Sequence, residues 1–130
     1  MFISVVIPTY NRKPILEKCL RSLEIQDINK TIHKYEVVVV DDGSTDGTQK
    51  WLQENSQSFP HVELFSQDHC GPSTGRNLGV RKAKGDVIVF IDSDLVVKNN
   101  FLSSHIDSLL FTWEKEGNKL CFTYGSVINT

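Results

Sequence analysis

Two aspartates on alternate residues are the sharpest chemical feature of the sequence. Asp92 and Asp94 flank Ser93 and directly follow the apolar run Val87–Ile91. Carboxylates at the end of a buried strand are costly unless a cation or hydrogen bonds compensate them. Their oxygens select hard cations such as Mg²⁺ or Mn²⁺, which bind through one or two carboxylates and the phosphates of a ligand. The motif therefore predicts a divalent-cation site; alternatively, one aspartate caps the following turn and the other is solvated.

A second acidic segment, Asp41–Gly47, offers more carboxylates but is also typical of an ordinary turn. Ser44 or Asp46 can cap the helix that follows. The spacing resembles a calcium loop of the EF-hand type, but Gln53 stands where the bidentate glutamate belongs, and a strand precedes the loop. We expect one carboxylate here to accept a hydrogen bond from a ligand.

The remaining candidates are weaker. Gly71–Asn77 matches neither a Walker loop nor GxGxxG. The guanidinium of Arg76 within it can bind a diphosphate through two N–H groups; the alternative is a solvated arginine. The histidines show no metal spacing, and His105 is expected to be structural. His69 and Cys70 are adjacent, but no third group completes a nucleophilic triad.

Alternating strands and helices must position these groups. Apolar runs predict strands, and apolar residues at helical spacing predict helices between them. The strands are expected at Ile3–Ile7, Val37–Val40, Val62–Phe65, Asp86–Ile91 and Leu120–Tyr124. The pattern predicts a Rossmann-like α/β fold, a mainly parallel sheet with helices on both faces.

The helices carry more specific expectations. Pro14 and Pro72 suit the first turn of a helix, Asn99 or Asn100 can cap the last one, and Gly85 suits a left-handed helix end. Gly117 is expected to close the last helix. The expected core contacts are Ile15, Leu16, Cys19, Leu20 and Leu23, then Trp51 and Leu52, then Leu78 and Val80, and finally Phe101, Leu102, Ile106, Leu109, Leu110 and Trp113.

The polar clusters follow the strands at their carboxyl ends, where open α/β sheets bind ligands. Thr9–Arg12 follows the first strand, Asp41–Gly47 the second and Asp92–Asp94 the fourth. We therefore expect the clusters to converge on one ligand.

Composition narrows the class of partner and the compartment. The 130 residues carry a net charge of −2 with 39% hydrophobic residues, which excludes a disordered chain and a polybasic nucleic-acid partner. Three cysteines without CxxC spacing indicate reduced thiols. No apolar run is long enough to span a bilayer. We expect a cytoplasmic protein, or one at the inner face of the membrane in a longer parent.

Four segments together resemble the nucleotide-sugar half of family 2 glycosyltransferases, which have the GT-A fold. They are Val5–Arg12, Val38–Thr48, Gly75–Gly79 and Phe90–Asp94. They occur in the order found in the family and are distributed from Val5 to Asp94 of the chain.

The resemblance implies metal-dependent, inverting transfer of a sugar from a nucleotide-diphosphate sugar, a UDP-sugar in the best-known members, to an acceptor hydroxyl. Tyr10 would pack on the base, which would donate to Asp42, or to Asp41 in a shifted register. Asp94 would be the more direct ligand of Mn²⁺ or Mg²⁺, and Asp92 would lie near the ribose or the metal. The implied donor-binding residues are Pro8, Thr9, Tyr10, Arg12, Asp41, Asp42, Arg76, Asp92 and Ser93.

Family members place the general base, usually an aspartate, in a second half of the domain. This sequence ends at Thr130, so we expect residues 1–130 to be the nucleotide-sugar-binding part, with the part for a saccharide, lipid or protein acceptor absent and the base beyond Thr130. We expect such a chain to bind donor without useful transfer and to self-associate through its open sheet edge.

Two alternatives come from other classes. A haloacid-dehalogenase-like phosphatase also carries a DxD after an apolar strand, but near the start of its fold. A non-enzymatic receiver-like domain has an acidic pair, but after its first strand, whereas Asp41 and Asp42 follow the second.

Overall fold

Strands and helices alternate along residues 1–117, the part of the chain that the computed structural model describes. The strands are β1 Phe2–Thr9, β2 Lys34–Asp41, β3 Val62–Ser66 and β4 Val87–Phe90; the helices are α1 Lys13–Glu24, α2 Thr48–Glu54, α3 Pro72–Lys82 and α4 Phe101–Glu116. The strands form one parallel sheet in the order β3-β2-β1-β4. The predicted parallel α/β fold is confirmed; the strand expected at Leu120–Tyr124 lies outside the described residues.

Helices cover both faces of the sheet because neighbouring strand residues point to opposite sides. Val5 belongs to a core cluster with Leu16 of α1 and Leu102 of α4. Val6 belongs to a second cluster that includes Leu78 of α3. Burial on both faces explains why the middle of each strand, Val5–Ile7 in β1 and Val37–Val40 in β2, is continuously apolar in sequence.

The direction in which successive strands are added to the sheet reverses once. The chain steps from β1 to β2 to β3 in one direction, and β4 then returns to the other side of β1. Right-handed crossovers in opposite directions put their helices on opposite faces, and accordingly Leu52 of α2 packs with the α1 cluster while α3 lies on the other face. Open α/β sheets bind ligands at such a switch point, here between the carboxyl ends of β1 and β4.

Helix α3 packs on the sheet through glycines. An ideal Cβ on Gly79 would lie 2.3 Å from Val6 Cγ1 and one on Gly75 would lie 3.3 Å from Pro8 Cβ. Leu78 packs on the sheet as expected, but Val80 is 43% exposed, so its predicted core contact is wrong. The close approach leaves no room for a side chain at Gly79 and little at Gly75, and Leu78 packs on the sheet beside them.

The buried stripes of α1 and α4 are narrower than their periodicity predicts. Ile15 and Leu110 are 45% and 40% exposed, so neither is a core residue. Gly117 ends α4, as predicted, and adopts the left-handed conformation there. His105 packs edge-on against Phe101 and burial lowers its pKa, which fits a structural histidine. No helix within residues 1–117 is long and apolar enough to cross a membrane.

The prediction of a left-handed helix end at Gly85 is wrong, because α3 already ends at Lys82. Glycine is needed there for space, since a Cβ would lie 2.6 Å from Ser4 Oγ. The Gly85 N–H donates to that hydroxyl at 2.8 Å, and Ser4 Oγ donates to the buried carboxylate of Glu36 at 2.7 Å. This network ties α3 and β4 to the edge of the sheet where β1 and β2 begin.

Candidate functional site

The loops that follow β1, β2 and β4 meet at the carboxyl edge, as the sequence predicts. The Asn11 N–H donates to Ser44 Oγ at 2.9 Å, and Asn11 Oδ1 accepts from the Thr45 N–H at 2.7 Å. Asn11 adopts a φ of +50°, a left-handed conformation that asparagine tolerates better than most residues. Across the switch point, Arg12 forms an ion pair with Asp94 at 3.3 Å.

The two aspartates after β4 both face solvent. Ile91 and Ser93 are each 5% exposed, whereas the side chains of Asp92 and Asp94 are 64% and 49% exposed. Alternate residues of this segment therefore point inward and outward, so the predicted penalty for burying the carboxylates does not arise. Exposed carboxylates this close in sequence are available to a ligand.

Each of these carboxylates is paired with an arginine. Arg76 contacts Asp92 at 3.0 Å, and Arg12 contacts Asp94 at 3.3 Å. Ion pairs between half-exposed side chains are individually weak and are screened by salt. All four charged groups can therefore exchange partners at little cost when an anion or a cation arrives.

The oxygen donors fit a hard divalent cation that brings phosphate with it. Within residues 1–117, no cluster of three or more His, Cys, Asp or Glu side chains could hold a metal ion alone. Mg²⁺ and related ions are commonly bound by one or two carboxylates with substrate phosphates and water completing the shell. Asp92 and Asp94 supply that partial donor set.

The buried thiol of Cys19 contacts the backbone of the segment that carries Asp92 and Asp94. Cys19 Sγ lies 3.9 Å from the Asp92 carbonyl oxygen, to which its S–H donates. Burial, and secondly the charge of Asp94, raises the pKa of this thiol to about 12. Cys19 therefore stays protonated and inert, as expected of a reduced buried cysteine.

Asp41 closes the turn that follows β2. It is fully buried and accepts hydrogen bonds from the Ser44 N–H at 3.0 Å, from the Ser44 hydroxyl and from Gln49 Nε2 at 2.7 Å. Its oxygens are thus occupied within the protein, which is the turn chemistry expected for part of this segment.

Asp42 is buried against the loop that follows β3. Its carboxylate accepts from Gln67 Nε2 at 2.8 Å and from the N–H groups of Cys70 at 2.8 Å and Gly71 at 3.0 Å, and it contacts His69 Nδ1 at 2.8 Å. Burial raises its pKa, but the hydrogen bonds and the nearby histidine outweigh burial and hold the pKa below the ordinary value of 3.8. Asp42 is therefore a carboxylate at neutral pH.

Tyr10 completes the group around Asp42. Its ring is stacked on the His69 imidazole with the centroids 4.1 Å apart and the planes at 29°. Sequence reasoning missed Gln67 and His69 as residues of the site. Both residues lie just after β3. The rule applied to the ends of the other three strands, that polar residues there lie at the carboxyl edge, also predicts their position.

Pro8 and Thr9 lie beneath the exposed groups. Both are buried, and Pro8 packs under α3 at Gly75. The Thr9 carbonyl accepts from the Asp42 N–H at 2.9 Å, while Thr9 Oγ1 has no hydrogen-bond partner among the described residues. The two residues support Tyr10 and Asp42 from inside the sheet.

The low pKa values at this edge predict acid sensitivity. Burial also raises the pKa of Asp46, but hydrogen bonds from Thr48 and Lys13 outweigh it. The pKa values of Asp42 and Asp46 therefore both lie below 3.8. Groups with a lowered folded-state pKa stabilise fully above their unfolded pKa, and that contribution disappears as pH falls below about 4 through the folded pKa. Urea unfolding between about pH 2.5 and pH 7 checks this.

Asp42→Asn should flatten part of this pH dependence, because the titrating group is gone, whereas the neighbouring Asp68→Asn at an exposed position should leave it unchanged. Equal pH profiles for the wild type and Asp42→Asn would contradict the assignment.

Known proteins share this arrangement of sequence and fold. The sequence model of the family "Glycosyl transferase family 2" matches residues 4–114. Glycosyltransferase AglE of Haloferax volcanii is 33% identical over 125 residues, 95% of this chain and 40% of that protein. Poly(ribitol-phosphate) beta-N-acetylglucosaminyltransferase TarS of Staphylococcus aureus is 38% identical over 95 residues, 72% of this chain and 16% of that protein.

Solved structures are similar at the level of fold. TarS residues 1–349 of S. aureus in complex with UDP-GlcNAc superimpose with a TM-score of 0.73 at 33% identity, over 89% of this chain and 32% of that one. Mannosyltransferase PcManGT from Pyrobaculum calidifontis in complex with GDP-Man and Mn²⁺ gives a TM-score of 0.75 at 31% identity, over 82% of this chain and 32% of that one. The chain thus spans less than half the length of each of these proteins.

Proposed function

The chain belongs to glycosyl transferase family 2, and from this premise we propose that residues 1–130 are the donor-binding part of a glycosyltransferase, binding a UDP-sugar with Mn²⁺ or Mg²⁺. The observation that carries the proposal is the convergence of a stacked aromatic, a buried carboxylate, two arginines and two exposed carboxylates at one edge of the sheet. They are Tyr10, Asp42, Arg12, Arg76, Asp92 and Asp94.

Charge balance supports a divalent cation in the proposed complex. The positive charges of Arg12, after β1, and Arg76, in α3, balance the negative charges of the two aspartates after β4. The edge between β1 and β4 is therefore close to neutral. The diphosphate of a nucleotide sugar brings about two negative charges, which a divalent ion balances. In the proposal Asp94 is the main protein ligand of that ion and Asp92 the second. When bound, the ion stabilises negative charge on the departing diphosphate.

The side chains of the chain itself have distinct tasks in this proposal. The Tyr10 ring offers a face for the base, and Asp42 accepts a base N–H. Arg12 and Arg76 exchange their aspartate partners for phosphate oxygens, which stabilises the charge that develops as the bond from the anomeric carbon to the phosphate oxygen breaks. The arginine pairs are half-exposed, so this exchange is inexpensive.

The acceptor half of the reaction is proposed to lie elsewhere. An acceptor hydroxyl attacks the anomeric carbon from the face opposite the diphosphate, with inversion, and a general base takes its proton. We place that base and the acceptor site in the part of the relatives' length that this chain does not span. The family match leaves the phosphatase and receiver-like alternatives without support.

Titration calorimetry with UDP tests the proposal. We expect UDP to bind at least about tenfold more tightly with Mn²⁺ than with EDTA, because the diphosphate completes the coordination shell of the cation. Asp94→Asn should remove this difference. The matched control is Asp107→Asn on α4, an exposed carboxylate beside the loop before β2 and away from the site.

Equal affinity with and without Mn²⁺ would contradict the role given to Asp94. Absence of any UDP or GDP binding by a folded chain would contradict donor binding as a whole.

A further inference from the structure

The pair formed by Tyr10 and Asp42 already holds a planar heterocycle, the imidazole of His69. The ring lies on Tyr10 at 4.1 Å and its Nδ1 is 2.8 Å from an Asp42 carboxylate oxygen. The same nitrogen is 3.1 Å from the Asp42 carbonyl oxygen. A nucleobase such as uracil or guanine can make the same two contacts, because it is also a planar ring with an N–H in its plane.

The direction of the hydrogen bond follows from the acceptors. Asp42 is ionised at neutral pH because its pKa lies below 3.8, and a backbone carbonyl carries no proton. Nδ1 of His69 is therefore the donor to both oxygens. Its N–H uses the same carboxylate oxygen and the same aromatic face that a base would need.

We infer that His69 fills the place of the nucleobase in the nucleotide-free protein and that donor binding requires its side chain to leave Tyr10 and Asp42. The inference rests on the proposed function. It makes His69 a determinant of donor affinity.

Departure of His69 leaves the rest of the site in place. Its side chain is 59% exposed, so it can rotate into solvent. Asp42 keeps the hydrogen bonds from Gln67, Cys70 and Gly71, which hold the loop after β3 without the imidazole. Its Oδ2, which then accepts only from the Gly71 N–H, has room to accept a second hydrogen bond from an incoming base.

The test is UDP and GDP binding by the full chain carrying His69→Ala, measured by calorimetry with Mn²⁺ and again with EDTA. A site that is open for about one fifth to one tenth of the time binds about five to ten times more weakly than an open one, so we expect His69→Ala to tighten UDP binding by that factor. The gain should be the same with and without the cation, because His69 contacts neither Asp92 nor Asp94. His33→Ala, which removes an imidazole beside the start of β2, should leave the affinity unchanged.

A second measurement follows the imidazole itself. In the wild type, the ring proton resonances of His69 should move to solvent-like positions as UDP saturates the protein, because the Tyr10 ring no longer shields them. Unchanged or weaker UDP binding by His69→Ala, or resonances that stay shielded at saturation, would overturn the inference while leaving donor binding intact. Failure of both wild type and His69→Ala to bind UDP or GDP would instead overturn the proposed function, and this inference with it.

Discussion

Replacing Gly79 by alanine is expected to lower the free energy of unfolding by about 2–3 kcal/mol, the upper part of the ~1–3 kcal/mol that overpacking a core usually costs. A Cβ there would lie 2.3 Å from Val6 Cγ1 and 3.4 Å from Val6 Cβ. Val6 is fully buried in the central strand and β-branched, so it has no free rotamer to adopt. Helix α3 must move off the sheet, and the Arg76 it carries moves with it. Urea unfolding monitored by circular dichroism gives the value.

The matched control lies one turn earlier in the same helix. A Cβ on Gly75 would meet Pro8 Cβ at 3.3 Å, which a small shift relieves, and alanine favours a helix over glycine by up to about 1 kcal/mol. Gly75→Ala should therefore be close to neutral. Equal destabilisation by the two substitutions would show that the helix responds to alanine in general rather than to the contact with Val6.

Asp42→Ala is expected to destabilise the protein by about 3 kcal/mol, because it removes a buried carboxylate that satisfies several donors at once. Gln67 and the N–H groups of Cys70 and Gly71 lose their acceptor together. The loop after β3 then keeps the contacts of His69 with the Asp42 carbonyl and Tyr10 but loses the acceptor of both amides, so amide exchange at Cys70 and Gly71 should accelerate strongly.

Asp68→Ala is the control for this variant, because Asp68 lies in the same loop at an exposed position. A loss below about 1 kcal/mol in Asp42→Ala, with unchanged exchange at the two amides, would mean that the loop is stabilised by other contacts.

The sequence predicted the strands of the described chain and the edge at which their polar ends meet, because both depend on local patterns. Val37–Val40 can be stable only with both faces covered, and residues such as Asp41 or Asp92 at strand ends stop the apolar run. The tolerance of Pro14 in the first turn of α1 is equally local.

The features that the sequence did not predict depend on distances between elements. Val80 is apolar, but it is exposed because α3 approaches the sheet with the face that carries Leu78 and Gly79, and Val80 lies nearly opposite Leu78 on the helix. The stacking of His69 on Tyr10 requires the end of β3 to lie two strands away from β1 in the sheet, which no local pattern encodes. The outward orientation of Asp92 and Asp94 likewise follows from the burial of Ser93 between them.

The position of β1 between β2 and β4 has a consequence for synthesis on the ribosome. Its contact with β2 joins Ser4 to Glu36, 32 residues apart, whereas its contact with the start of β4 joins Phe2 to Asp86, 84 residues apart. At about 5–20 residues per second, the second partner emerges roughly 4–17 s after β1 itself. During that interval the nascent β1 carries an unpaired backbone edge of apolar residues, the kind of edge that chaperones shield. We expect Asp92 and Asp94, which follow β4, to be the last part of the proposed donor site to be assembled.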